Sequence, residues 1–74
     1  MNIHINSKRA LKPIIENNVY EAYQNNERSL DFLVLFPITD KEASTIIDIC
    51  RSYPVVLDAK WRFDSLIFTV YLKH

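Results

Sequence analysis

Asp31-Phe32-Leu33-Val34-Leu35-Phe36-Pro37 is the stretch whose reading decides the fold of this chain. Positions 32–36 are all apolar. In an extended chain successive side chains point to opposite faces, so both faces of this segment are apolar. Uniform apolarity of this kind suits a central strand with neighbours on both sides, and the spacing predicts one over Leu30 to Ile38. Proline cannot donate to a sheet ladder, so Pro37 marks its end.

Downstream, Thr39 and Glu42 have the spacing of a capping box. The threonine side chain accepts from an early helix N–H, and the glutamate reaches back to the cap. A helix is therefore expected from about Asp40 to Ser52. Ala43, Ile46, Ile47 and Cys50 form its buried stripe, and Pro54 stops it. Upstream, Pro13 suits a first helical turn, where its missing N–H costs nothing. The pattern from Pro13 to Gln24 is helical. Ile15, Val19 and Ala22 share one stripe, Leu11 and Ile14 lie beside it, and Asn18 lies at its margin. Asn25 and Asn26 end this helix. At the front of the chain Asn2 to Asn6 alternates, with Ile3 and Ile5 on one side, as a short strand does.

The last third alternates most regularly. Val55, Leu57, Ala59, Trp61 and Phe63 interleave with Val56, Asp58, Lys60, Arg62 and Asp64. Leu66, Phe68, Val70 and Leu72 interleave with Ile67, Thr69, Tyr71 and Lys73. A hairpin turning at Asp64-Ser65 puts Trp61 opposite Phe68, Ala59 opposite Val70 and Leu57 opposite Leu72, all on one apolar face. A slip of one residue would turn every one of them to the wrong side.

The order is β-α-β-α-β-β. The expected fold is α+β: a two-layer sandwich with a four-stranded mixed sheet, two helices on one face and a C-terminal β-hairpin, all in one domain. In element order alone it resembles the C-terminal domain of bacterial translation initiation factor three, the Alba chromatin proteins and the TusA-type sulfur carriers. Those carriers start their first helix with Cys-Pro. This chain has Lys12-Pro13 there, so their nucleophile is absent, and topology alone implies no activity.

Composition narrows the classes. At 74 residues, 49% of them hydrophobic, the chain is long enough for one modest core. No run reaches the roughly 18 apolar residues of a membrane span. Met1 to Asn6 lacks the charged and apolar regions of a signal peptide. The single cysteine, Cys50, cannot form an internal disulfide, so a cytoplasmic setting is expected. Nine Lys plus Arg balance nine Asp plus Glu, whereas nucleic-acid binders usually carry a basic excess. The absence of glycine removes every glycine-built phosphate loop and leaves the turns to Asn, Asp, Ser and Pro. Abundant Asn, Ile, Lys, Tyr and Phe fit a low-GC genome or a mobile element.

Catalytic chemistry finds few candidates. The histidines, His4 and His74, sit near the two ends and read as solvated surface groups. Cys50 lies on the apolar stripe of the second helix and reads as a small hydrophobe, not as half of a dyad with His4. Nothing has metal-ligand spacing. No catalytic residue, metal or cofactor is expected.

The surface that draws attention is the sheet face away from the helices. The helix side takes the bulkier set Phe32, Val34 and Phe36. The open face then shows Leu33, Leu35, Val56, Ile67 and Tyr71, rimmed by Lys60, Arg62 and Lys73. An apolar centre with a polar rim marks protein contact sites. Tyr20 and Tyr23, off the buried stripe of the first helix, are further contact candidates. Lys8, Arg9 and Lys12 make a second basic cluster. The expected function is non-enzymatic: a small inhibitor or regulator that binds and occludes another protein, or pairs with a second copy of itself through the open face. Phage and mobile-element proteins that counter host defences, anti-CRISPR proteins among them, have this size and character. The alternative is a nucleic-acid-binding regulator using the basic rim of the same face. No membrane partner is expected.

Overall fold

A computed structural model describes residues 2–62 and 66–74. Its strands are β1 (Asn2–Ile5), β2 (Ser29–Val34), β3 (Val56–Trp61) and β4 (Ile67–Leu72). Its helices are α1 (Leu11–Gln24), preceded by a 3-10 turn at Lys8–Ala10, and α2 (Asp40–Arg51). The sheet is mixed, with strand order β1-β2-β4-β3. β1 runs parallel to β2, while β4 is antiparallel to both of its neighbours. The hairpin strand β4 therefore inserts between β2 and β3, and the two central strands are β2 and β4. This is the α+β fold expected from the sequence.

The core is built in rows that cross the sheet. Ile3 faces Phe32, Phe32 faces Phe68, and Phe68 faces Trp61, so one row spans all four strands. Phe32 and Phe68 are fully buried, and the Trp61 ring stacks on Phe68 with centroids 5.8 Å apart. Leu30, Val70 and Ala59 form the next row. Onto this face pack Leu11, Ile15, Val19 and Ala22 of α1 and Ala43, Ile46 and Cys50 of α2, all in one cluster. No polar or charged residue is buried among the described residues.

Local chemistry accounts for the helix ends. Thr39 and Glu42 form the capping box, each side chain accepting from the other's backbone N–H at 3.1 Å. At the end of α1, Asn26 adopts φ 61°, the left-handed conformation that glycine usually supplies. Around it the Glu27 N–H donates to the Ala22 carbonyl and the Asn26 N–H to that of Tyr23, the paired bonds of a Schellman ending. A chain without glycine thus turns out of its helix on an asparagine. Asn18, at the margin of the stripe, donates its side-chain amide to the Ile14 carbonyl at 2.8 Å.

Two expectations need correction. β2 ends at Val34, not at Ile38, because the chain must leave the sheet to enter α2. Leu35 still donates its N–H to Ile5, but Phe36 to Ile38 belong to the connection. The hairpin register also breaks. Trp61–Phe68 and Ala59–Val70 pair as expected, but a bulge between Val56 and Asp58 puts Val56, not Leu57, opposite Leu72. Val56 is buried and Leu57 is 67% exposed, so Val56 leaves the open face for the core. An extra residue in one strand reverses the alternation beyond it. The Asp58 carboxylate holds this kink, accepting from the Ala59 N–H at 2.8 Å. The turn expected at Asp64-Ser65, and Phe63 beside it, lie outside the described residues.

Phe32→Ala should cost about 3–5 kcal/mol, close to the whole stability of a small domain. Loss of a cooperative melt checks this. Thr39→Ala should cost about 1 kcal/mol and lower Tm by about 4–8 °C, measured by circular dichroism.

Candidate functional site: the open sheet face

Both helices pack on one face, so the side chains of alternate parity define the other. The register aligns them in rows. Asn2, Asp31, Thr69 and Lys60 cross the middle. His4, Leu33 and Ile67 form the row on one side, and Ser29, Tyr71 and Asp58 the row on the other. Arg62 extends the first of these flanks through its N–H bond to the Ile67 carbonyl, at 3.5 Å.

The face is divided rather than apolar-centred. Its apolar end holds half-buried Leu33 and Ile67, with Leu35 beyond them at 46% exposure. Across the middle runs a polar row. The Thr69 hydroxyl donates to the Asp31 carboxylate at 2.7 Å, tying β4 to β2. At the far end Lys60 Nζ lies 5.8 Å over the ring of Tyr71, within cation–π range. Asp31, Lys60, Arg62, Ile67, Thr69 and Tyr71 share an open depression of about 490 Å³.

Leu33, Leu35, Ile67, Tyr71, Lys60 and Arg62 are thus gathered on or beside one surface, as expected. Lys73 is exposed just past β4. Tyr20 and Tyr23 are not part of this surface. Both are half-buried on α1, Tyr20 edge-on to Tyr53 and Tyr23 stacked on His74 with ring centroids 4.5 Å apart. His74, expected only as a solvated end group, also has its Nε2 3.0 Å from the Tyr23 carbonyl oxygen. Asp31 was overlooked as a site residue. Its parity with Leu33 was readable, but the apolar run beside it dominated.

The β3 edge is closed by α2. Arg51 donates from Nε to Asp58 and from its terminal nitrogen to the Ala59 carbonyl, both at 3.1 Å. A charged side chain on an edge carbonyl, beside a bulge, blocks strand addition there. The Ala59 amide, then Arg51, holds the Asp58 carboxyl below its usual range. Glu42 is held low in the same way, first by its bond from Lys8 and next by the Thr39 amide.

Cys50 and His4 lie on opposite sides of the sheet. Burial pushes the Cys50 thiol up to about 12, so the reactive thiolate is scarce near neutral pH. Among the described residues no cluster of three or more His, Cys, Asp or Glu could hold a metal ion. No helix among them is long and apolar enough to cross a membrane.

The chain matches no known family model, and no curated protein or solved structure proved similar to it. The geometry of its own surface is therefore what speaks to function.

Two outcomes follow from these environments. Cys50 should resist alkylation in the folded chain at about pH 8 and react fully in denaturant, read by mass spectrometry. The folded-state pKa values of Asp58 and Glu42 lie below their unfolded values. Their contribution is complete above the unfolded values, near about 4, and is lost as pH falls through the folded ones. The double variant Asp58→Asn/Glu42→Gln should therefore lose less Tm than the parent between about pH 5 and about pH 2.

Proposed function

We propose that this chain is a non-enzymatic binding module that attaches to another protein through its open sheet face and acts by covering that protein's surface. The carrying observation is the apolar strip of Leu33, Leu35 and Ile67, left uncovered by the helices, beside a polar row with charges of both signs. Apolar side chains supply the driving force of association, and fixed polar groups set its register. Tyr71, steadied by Lys60, is a rigid amphipathic anchor of the kind enriched at interfaces.

The partner that fits has an apolar ridge flanked by charges of both signs. Asp31 in the middle of the face and Asp58 at its edge place carboxylates where a nucleic-acid backbone would lie. This favours a protein over a polyanion. A role as a small inhibitor or regulator, encoded by a phage or mobile element and directed at host defence, is compatible with this mode of action. It is part of the same proposal.

The test is capture of a partner by the purified chain, compared across variants. Leu35→Asp and Ile67→Asp should each weaken capture at least about tenfold, the loss of about 1.4 kcal/mol of binding free energy. Neutralising Lys60, Arg62 and Lys73 together should change it less and soften its salt dependence. Capture indifferent to both apolar variants, with their folding verified by circular dichroism, overturns the reading. So does salt-sensitive DNA or RNA binding that the basic variants abolish. Concentration-dependent dimers lost in Ile67→Asp would assign the face to a second copy instead.

A further inference from the structure

We infer that the cleft between the start of α1 and the outer side of α2 is a second binding site, which receives one bulky apolar side chain from an acidic segment of another protein. The cleft holds about 260 Å³. Its walls are Leu11, Phe36, Ile38, Ile46 and Ile49. Phe36 and Ile38 continue the apolar run beyond the end of β2, and both stay half-buried at the edge of the core. The run is therefore only partly consumed by the sheet, and its remainder lines this depression.

Charge identifies the occupant. Lys8, Lys12 and Glu42 also line the cleft. Glu42 is already engaged twice: it accepts from the Thr39 N–H at 3.1 Å and pairs with Lys8 at 2.6 Å. Lys12 has no ion pair among the described residues, and Arg9, three positions earlier in the chain, is exposed. The first turn of α1 holds no acidic residue, and its N-cap, Ala10, supplies no side-chain bond. The helix dipole already favours anions at that end, and Lys12, unlike the Glu42-paired Lys8, adds to that positive field. A carboxylate-bearing segment is the complement. Size limits the occupant: the cleft is smaller than the about 300–1,000 Å³ usual for drug-sized ligands and has room for a single large side chain. An apolar anchor seated in a pocket with a charged mouth is the usual form of an interface hot spot.

The site lies on the helix side of the molecule and is independent of the open sheet face. The experiment is an NMR titration of the full-length, ¹⁵N-labelled chain with a short capped peptide whose central tryptophan is flanked by aspartates. Saturable amide shifts should appear at Leu11, Lys12, Ile38, Thr45 and Ile49 and spare Leu33 and Ile67. Replacing the tryptophan by alanine, or substituting Lys12→Glu in the protein, should weaken binding at least about tenfold. Ile67→Asp should leave it unchanged. Lys12 is exposed, so Lys12→Glu should fold normally, and Lys12→Gln separates loss of charge from its reversal. Absence of saturable shifts at millimolar peptide overturns the inference. Equal binding by the alanine peptide overturns it too, since charge attraction alone would then suffice. Shifts centred on the open face would also overturn it and leave the proposal for that face standing.

Discussion

Phe32 and Phe68 face each other across the two central strands, and the rest of the molecule is arranged around that contact. Both rings are fully buried. Ile3 on one side and Trp61 on the other extend the pair into a row across the whole sheet. A small domain buries a limited fraction of its surface, so it depends on a few large side chains meeting squarely. With these rings on the helix side, alternation sends Leu33 and Ile67 to the other side, where the two helices do not reach.

The open face is therefore a consequence of core packing. β2 sits between two strands and is apolar on both sides. Its inner side chains are enclosed by α1 and α2, while its outer ones are covered only by their neighbours in the sheet. The chain limits the resulting exposure in several ways. The Asp31–Thr69 hydrogen bond runs through the middle of the face. Lys60 lies over Tyr71. Arg51 closes the β3 edge, which would otherwise present unpaired backbone groups. What remains uncovered is the apolar end of the face, and the basic cleft beside α1 is a separate exposure on the opposite layer.

Most of the fold was legible because its signals are local. The capping box, the stripes at helical spacing and the Asn25-Asn26 ending each act over a few residues, and each lies where the pattern put it. The hairpin pairing was legible as far as Ala59 for the same reason. It failed at Leu57 because alternation counts residues, and one bulged residue changes the count. That bulge involves Arg51 at the end of α2 and Asp58 in β3, a pairing that periodicity cannot express. The open face was legible in outline, since alternation puts Leu33, Ile67, Tyr71 and Lys60 on one side of the sheet and the register does the same. Val56 was misplaced by the bulge, and Tyr20 and Tyr23 are drawn to Tyr53 and His74 by contacts distant in sequence.

The sequence by itself determined the element order, the capping box of α2, the asparagine ending of α1 and the absence of glycine-built loops. These follow from side-chain periodicity and short-range hydrogen bonding, which any local stretch of chain carries with it. Only the tertiary structure decided that β4 lies between β2 and β3, that Val56 replaces Leu57 in the core, and that a polar row divides the open face. Those features depend on which strands become neighbours and in what register. That choice is made by the packing of the whole core at once.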